Sequence, residues 1–153
     1  MTYPIFIYLK IVTNRYSLDG AKKLSDVTTL YQRVGDNMTQ ESASESLVST
    51  LQGFNMQADE AESIVDKCNE VANNFAIGSD GIGEALQRSA ASFNASHTSL
   101  SKSIALITGT NTTIQDPDRV GNMWKTVSAR LRGKICASIQ GKFVCYAALL
   151  KIA

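Results

Sequence analysis

The chain has 153 residues and a formal net charge of +1 at pH 7. It is therefore about one domain long and can bury roughly 70% of the surface that its unfolded form exposes. Such a balance excludes a chain that is basic or acidic throughout, although seven acids with one lysine lie between 40 and 70 and seven bases with no acid follow from 119 onwards. We expect these charges to pair within the fold or to be solvated, rather than to present a basic face to a partner.

Both ends of the chain are apolar. The N-terminal stretch MTYPIFIYLKIV lacks the charged lead and the small-residue cleavage site of a secretory signal. Near the other end, FVCYAALL is an apolar run of eight residues, short of the roughly 20 that cross a bilayer. We therefore expect neither export nor a membrane span.

Apolar residues recur at helical intervals through the middle of the chain. The first helix should end at the sequence GDN (35–37). Its apolar stripe consists of Leu24, Val27, Leu30, Tyr31 and Val34. A second helix should begin near Thr39, or later if Ser42 and Glu45 form a capping box, and should end at Asn55. Its stripe consists of Ala43, Leu47, Val48, Leu51 and Phe54.

The third helix has the clearest pattern. Its apolar residues repeat at three and four positions: Ala61, Ile64, Val65, Cys68, Val71, Ala72 and Phe75. The opposite face is charged and carries Glu60, Glu62, Asp66, Lys67 and Glu70. This pattern predicts a half-buried helix, and acids in its first turn suit the positive end of the helix dipole.

The sequence AIGSDGIGEALQRSA (76–90) poses a question about phosphate binding. Gly78 and Gly83 have the spacing of a P-loop, which requires Lys and then Ser or Thr after its last glycine. Those positions hold Glu84 and Ala85. A carboxylate would repel the phosphate and alanine cannot hold Mg²⁺, so we expect no nucleotide site.

The same glycines are interpreted as the start of a fourth helix. Ser79 or Asp80 would cap it, and Gly81 and Gly83 would allow a tight entry of the chain. Its inward residues would be Ile82, Ala85, Leu86, Ser89 and Phe93.

Two further helices are predicted. The fifth should begin from Thr98 or Ser99 as N-cap and weaken at Gly109. Its inward residues would be Leu100, Ile104 and Ile107. The sixth has an N-cap aspartate, Asp116, directly followed by proline, and should end at Gly133. Its inward residues would be Val120, Trp124, Val127 and Leu131.

No pattern of a catalytic or metal site emerges. Cys68, Cys136 and Cys145 are odd in number and lack a C-x-x-C pair, so we expect reduced, structural cysteines. A nucleophilic pair of Cys68 with His97, the only histidine, is formally possible but has no local support. We therefore expect no enzyme, no cofactor and no metal.

Long blocks of the sequence resemble the core region of phage tail tape measure proteins. They are LVSTLQGFNMQADEAESIVDKCNEVANNFAIGSDGIGEALQRSA (47–90), SIALIT (103–108) and QDPDRVGNMWKTVSARLRG (115–133). The resemblance covers roughly 27–133, and the blocks keep the order and spacing of the family.

The resemblance implies a structural role. Tape measure proteins occupy the lumen of a long phage tail during assembly, set its length, and leave when DNA is ejected. The implied partners are the tail tube, the tail tip, tail assembly chaperones and a second copy of the chain, with no small-molecule substrate, nucleic acid or membrane. The implied location is the virion tail, or the bacterial host cytoplasm during assembly. In this family the residues from Gly78 to Gly83 would form a turn with no ligand role.

The fold class expected from these patterns is all-α, a compact bundle of about five to six short-to-medium amphipathic helices. The helical core domain would span 24–133, with an N-terminal extension at 1–23 and an apolar, basic extension at 134–153. Both extensions look foreign to the family, and even a fully helical chain of this length would reach only about 230 Å. We therefore expect a fragment or a truncated prophage copy of a tape measure protein.

An alternative from another class is a helical module that contacts nucleic acid or protein through the basic 119–134 face. Its candidate residues are Trp124, Lys125, Arg130, Arg132 and Lys134. Phosphate contacts made by such a face would weaken steeply as salt rises.

Overall fold

The computed structural model describes residues 16–35 and 37–132, which contain helices and loops and no strand. The helices are α1 (Leu18–Val34), α2 (Gln40–Phe54), α3 (Ala61–Asn74), α4 (Ser79–Ala95) and α5 (Leu100–Ile114). A 3₁₀ helix, Ala58–Glu60, directly precedes α3, and a further helix, α6, runs from 117 to the last described residue at 132. The predicted all-α class is confirmed.

The first helix begins earlier than its predicted stripe. Ser17 is the N-cap of α1, and its side chain accepts a hydrogen bond from the Gly20 backbone N–H at 3.2 Å. Ala21 is fully buried and continues the apolar face towards the N-terminus, although a single methyl group is a weak signal in a sequence. The helix ends before Gly35, as predicted.

The bounds of α2 follow from its two caps. Thr39 is the N-cap and accepts a hydrogen bond from the Ser42 backbone N–H at 3.1 Å. Asn55 ends the helix in the left-handed conformation, with φ of 56°, which asparagine tolerates better than most residues. Both predicted ends are confirmed. The alternative capping box of Ser42 and Glu45 is wrong, because Thr39 already satisfies the first turn.

The start of α4 differs from its prediction. Gly78, in an extended conformation with φ of −72°, is the N-cap, whereas the predicted caps Ser79 and Asp80 lie inside the first turn. Gly81 and Gly83 are buried within the helix, so neither belongs to a turn. Their role is close packing against other helices, which local helix-start signals in a sequence do not indicate.

The last two helices largely follow the sequence signals. Ser99 is the N-cap of α5, which continues past Gly109 to Ile114. In α6, the Asp116 Oδ1 accepts a hydrogen bond from the Arg119 backbone N–H at 3.1 Å, which confirms the predicted N-cap. The predicted end at Gly133 lies outside the described residues.

Helix α4 lies at the centre of the bundle. It packs most extensively against α2, and also against α3 and α5. From α1, the Tyr31 hydroxyl donates a hydrogen bond to the Ser79 carbonyl at 2.8 Å. From α6, the centroid of the Trp124 ring lies 5.6 Å from the centroid of the Phe93 ring. The largest fully buried side chains are Leu24, Tyr31, Leu47, Leu51, Ile64, Val65, Ile82, Leu86, Phe93, Ile104 and Ile107.

Glycines allow α4 to approach its neighbours closely. A Cβ on Gly53 of α2 would lie 2.5 Å from the Ala90 Cβ of α4 and 2.9 Å from the Ala91 backbone nitrogen. A Cβ on Gly121 of α6 would lie 2.8 Å from the Ala85 carbonyl oxygen. Real Cβ atoms do not approach so closely, so both helix contacts require glycine.

Three residues of the predicted stripes are exposed, and their placement in the core is wrong. Phe75 is 55% exposed because it follows the last residue of α3 with an extended backbone, which breaks the helical period. Leu30 is 43% exposed at the edge of the α1 stripe. Leu131, 56% exposed, lies on α6 beyond its core contacts at Val120 and Trp124.

The close helix contacts predict opposite effects of alanine at different glycines. Gly53→Ala and Gly121→Ala should each lower the free energy of unfolding by about 1–3 kcal/mol, because the obstructing atoms belong to backbone or to a short side chain. Gly109→Ala is the matched control: its Cβ would meet nothing within 4 Å, so it should stabilise the helix by up to about 1 kcal/mol. Urea unfolding would measure all three, and equal effects would contradict the packing described.

Candidate functional site

The amino end of α4, where a phosphate would have to bind, is occupied by the protein itself. A Cβ on Gly81 would lie 2.9 Å from the Pro117 ring, and the Asp80 carboxylate folds back against Gly78. Glu84 is exposed and forms an ion pair with Arg88, whose Nη2 lies 3.7 Å from the Glu84 Oε1. Packing and negative charge therefore take the place that a P-loop leaves open for its ligand.

Cys68 is a core residue whose environment disfavours a nucleophilic role. Its side chain is fully buried, and burial raises the pKa of the thiol from 9.0 to about 12. A reactive cysteine needs the reverse, because the thiolate is the nucleophile. His97, its formal partner, is exposed in the loop after α4 with φ of 55°. Cys136 and Cys145 lie outside the described residues.

Within 16–35 and 37–132, no group of three or more His, Cys, Asp or Glu side chains could hold a metal ion. Among the same residues, no helix is long and apolar enough to cross a membrane.

The basic residues of α6 do not form one patch with Trp124. The Trp124 ring packs against the core, and its Nε1 donates a hydrogen bond to the Thr110 Oγ1 at 3.1 Å. Lys125 and Arg130 are exposed and Arg132 is partly buried. At 100° per residue, Arg130 lies about 140° around the helix from Lys125. Lys134 lies outside the described residues, and the nucleic-acid alternative stays a prediction.

A first open groove lies between α1 and the 3₁₀ helix. Its volume is about 600 Å³, and its lining residues are Lys23, Asp26, Val27, Leu30, Ala58, Asp59 and Glu62. We call it the acidic groove, since three of its four charged side chains are acids. The Lys23 Nζ lies 2.6 Å from the Asp59 Oδ1, and this hydrogen bond raises the pKa of Lys23.

A second groove, the α3–α5 groove, has a volume of about 420 Å³ and a more apolar lining. Its apolar lining residues include Val71, Phe75 and Ile104, and its charged lining residues are Lys67 and Glu70. Both grooves thus combine apolar and charged lining residues.

The described residues form an all-helical bundle with two open grooves on its surface. Against known proteins, the family model of phage-related minor tail proteins matches residues 16–142. The chain belongs to the phage-related minor tail protein family. This membership supports a structural role in a phage tail, suggests a non-enzymatic protein that interacts with other tail proteins, and covers every residue that the structure describes. No solved structure matches the chain.

Neither groove was predicted from the sequence. Leu30 was predicted to lie in the core, and Asp26 is distant in sequence from Asp59 and Glu62. The only signal was the excess of acids between 40 and 70, because a groove formed by two elements has no local pattern.

The burial of Cys68 predicts a protected thiol. In a chain with Cys136→Ser and Cys145→Ser, alkylation of Cys68 by iodoacetamide at pH 8 should be more than about 100-fold slower in buffer than in urea, because burial keeps the thiolate fraction small. Mass spectrometry would follow the modification. Similar rates in both solutions would contradict the burial and reopen the nucleophile hypothesis.

Proposed function

We propose that the chain is a core domain of a tape measure protein, which acts as part of the ruler inside an assembling phage tail. The observation that carries the proposal is the family match over 16–142. The blocks that resemble tape measure proteins support it further, since they include α3, most of α4 and the described part of α6. The proposed partners are the tail tube, the tail tip and the tail assembly chaperones.

A ruler needs a fixed length, and the packing of the bundle suits this requirement. The loops that the structure describes between consecutive helices are short: 55–57, 75–78, 96–99 and 115–116. The buried apolar side chains of α1 to α5, except that of Ala90, belong to one continuous hydrophobic cluster, which also includes Val120 of α6. A single cluster opposes bending between its helices, because bending would expose apolar surface.

The proposed folded unit is close to the predicted domain of 24–133, with the remaining residues as extensions. Burial of Ala21 and packing of Tyr16 against the core favour a beginning at 16 rather than 24. The α6 contacts at Val120 and Trp124 support the inclusion of the last helix.

A ruler role predicts that tail length follows the length of the gene product. In a phage that carries this gene, an in-frame second copy of 16–142 should lengthen the tail by up to about 190 Å, the limit for helices aligned end to end. A second copy of 61–132 alone should add a proportionately smaller length. Negative-stain electron microscopy of the tails would measure both increments.

The control is Gly109→Ala in the single-copy gene, which adds one methyl group at the surface and should leave the length unchanged. Tails of unchanged length from both duplications would contradict the ruler role. The structural role in the tail would then rest on the family membership alone.

A further inference from the structure

The acidic groove has an apolar floor that the described chain leaves exposed. Leu30 is 43% exposed there and lies beside Val27 and Ala58. Asp26 and Glu62 edge the groove and make no ion pair with any described residue, whereas Asp59 pairs with Lys23. An occupant with one large apolar side chain and two cations would therefore match the groove in shape and charge.

The far end of the described chain carries such a group. Leu131 of α6 is 56% exposed, and its neighbours in sequence are Arg130 and Arg132. At 100° per residue, the two arginines flank the leucine on opposite sides of the helix. We call these three residues the basic tip. Arginine is enriched in protein interfaces, where its planar group binds carboxylates through two hydrogen bonds.

We propose that the basic tip of one copy binds the acidic groove of a second copy. Leu131 would contact Leu30 and Val27, while Arg130 and Arg132 would face Asp26 and Glu62. A second copy is the occupant that the chain itself supplies, because Leu131 and Arg130 are exposed, Arg132 is partly buried, and the charges of the tip are opposite to those of the groove. The proposal does not depend on the ruler role.

The two surfaces differ from each other, so the interface is heterologous. Each copy retains one unused tip or groove after pairing, and association therefore continues into a row of copies or closes into a ring. Ion pairs between exposed side chains are screened by salt, so the association should weaken as the ionic strength rises.

The test uses the full chain and two variants, each of which blocks one surface. Leu131→Glu removes the apolar contact of the tip, and Leu30→Glu does the same in the groove. Sedimentation velocity at low salt should show concentration-dependent assembly of the wild type and a monomer for each variant. An equal mixture of the two variants should form a dimer that grows no further. Leu131→Glu supplies the intact groove and Leu30→Glu supplies the intact tip, and both are used in the dimer.

The mixture also controls for folding, since only folded variants can form that dimer. Leu106→Glu, at a 39% exposed position on α5, is the matched control and should assemble like the wild type. A mixture that stays monomeric while the wild type assembles would overturn the proposal, as would a wild type that stays monomeric. Binding of duplex DNA by the wild type, lost in Arg130→Glu and without self-association, would assign the basic tip to nucleic acid instead.

Discussion

The close approach of α4 to α2 and α6 is the constraint on which the bundle depends. Gly53 lies against Ala90, and Gly121 against the backbone of Ala85, so the two contacts leave no room for a larger residue. Close approach brings long stretches of side chain and backbone into van der Waals contact, which is favourable because each atom pair adds a small attraction. The remaining helices complete the cover of α4, and Tyr31 fixes α1 to its first turn through the Ser79 carbonyl. Burial of this hydroxyl raises the pKa of Tyr31 well above 10.0, so the hydroxyl stays a donor throughout the physiological range.

This arrangement also separates the charges of the chain. Because α1 and α3 pack around α4, their charged faces lie at the surface, where they contribute charged residues to the acidic groove. The last described turns of α6 carry Arg130 and Arg132 and no acid. Only a few ion pairs connect distant parts of the described chain, such as Arg88 with Asp118. The expected pairing of the acidic and basic regions is therefore a minor feature, and most of these charges remain at the surface for solvent or a partner.

Local signals in the sequence predicted most of the helices, whereas tertiary contacts decided the rest. Asn55 and the Asp116–Pro117 pair fix helix ends through their own backbone and side-chain geometry, so a sequence suffices to place them. No local signal indicates the role of Gly81 and Gly83, because the absence of their side chains makes room for Pro117 and Tyr31 from other helices. The exposure of Leu30 and Leu131 likewise depends on where neighbouring elements stop covering a stripe. A groove formed by α1 and the 3₁₀ helix could be recognised only after both had been placed in space.

Native-state hydrogen exchange, resolved by residue, tests the central place of α4 most directly. Elements with the most buried contacts open only when the whole domain unfolds, whereas peripheral elements open locally at lower free energy. Amides of 82–93 should exchange with the free energy of global unfolding measured in urea. Amides in α5 near Gly109, where one face is open, should exchange at a lower free energy. Exchange of α4 by local opening, at a free energy below that of α5, would contradict a bundle built around this helix.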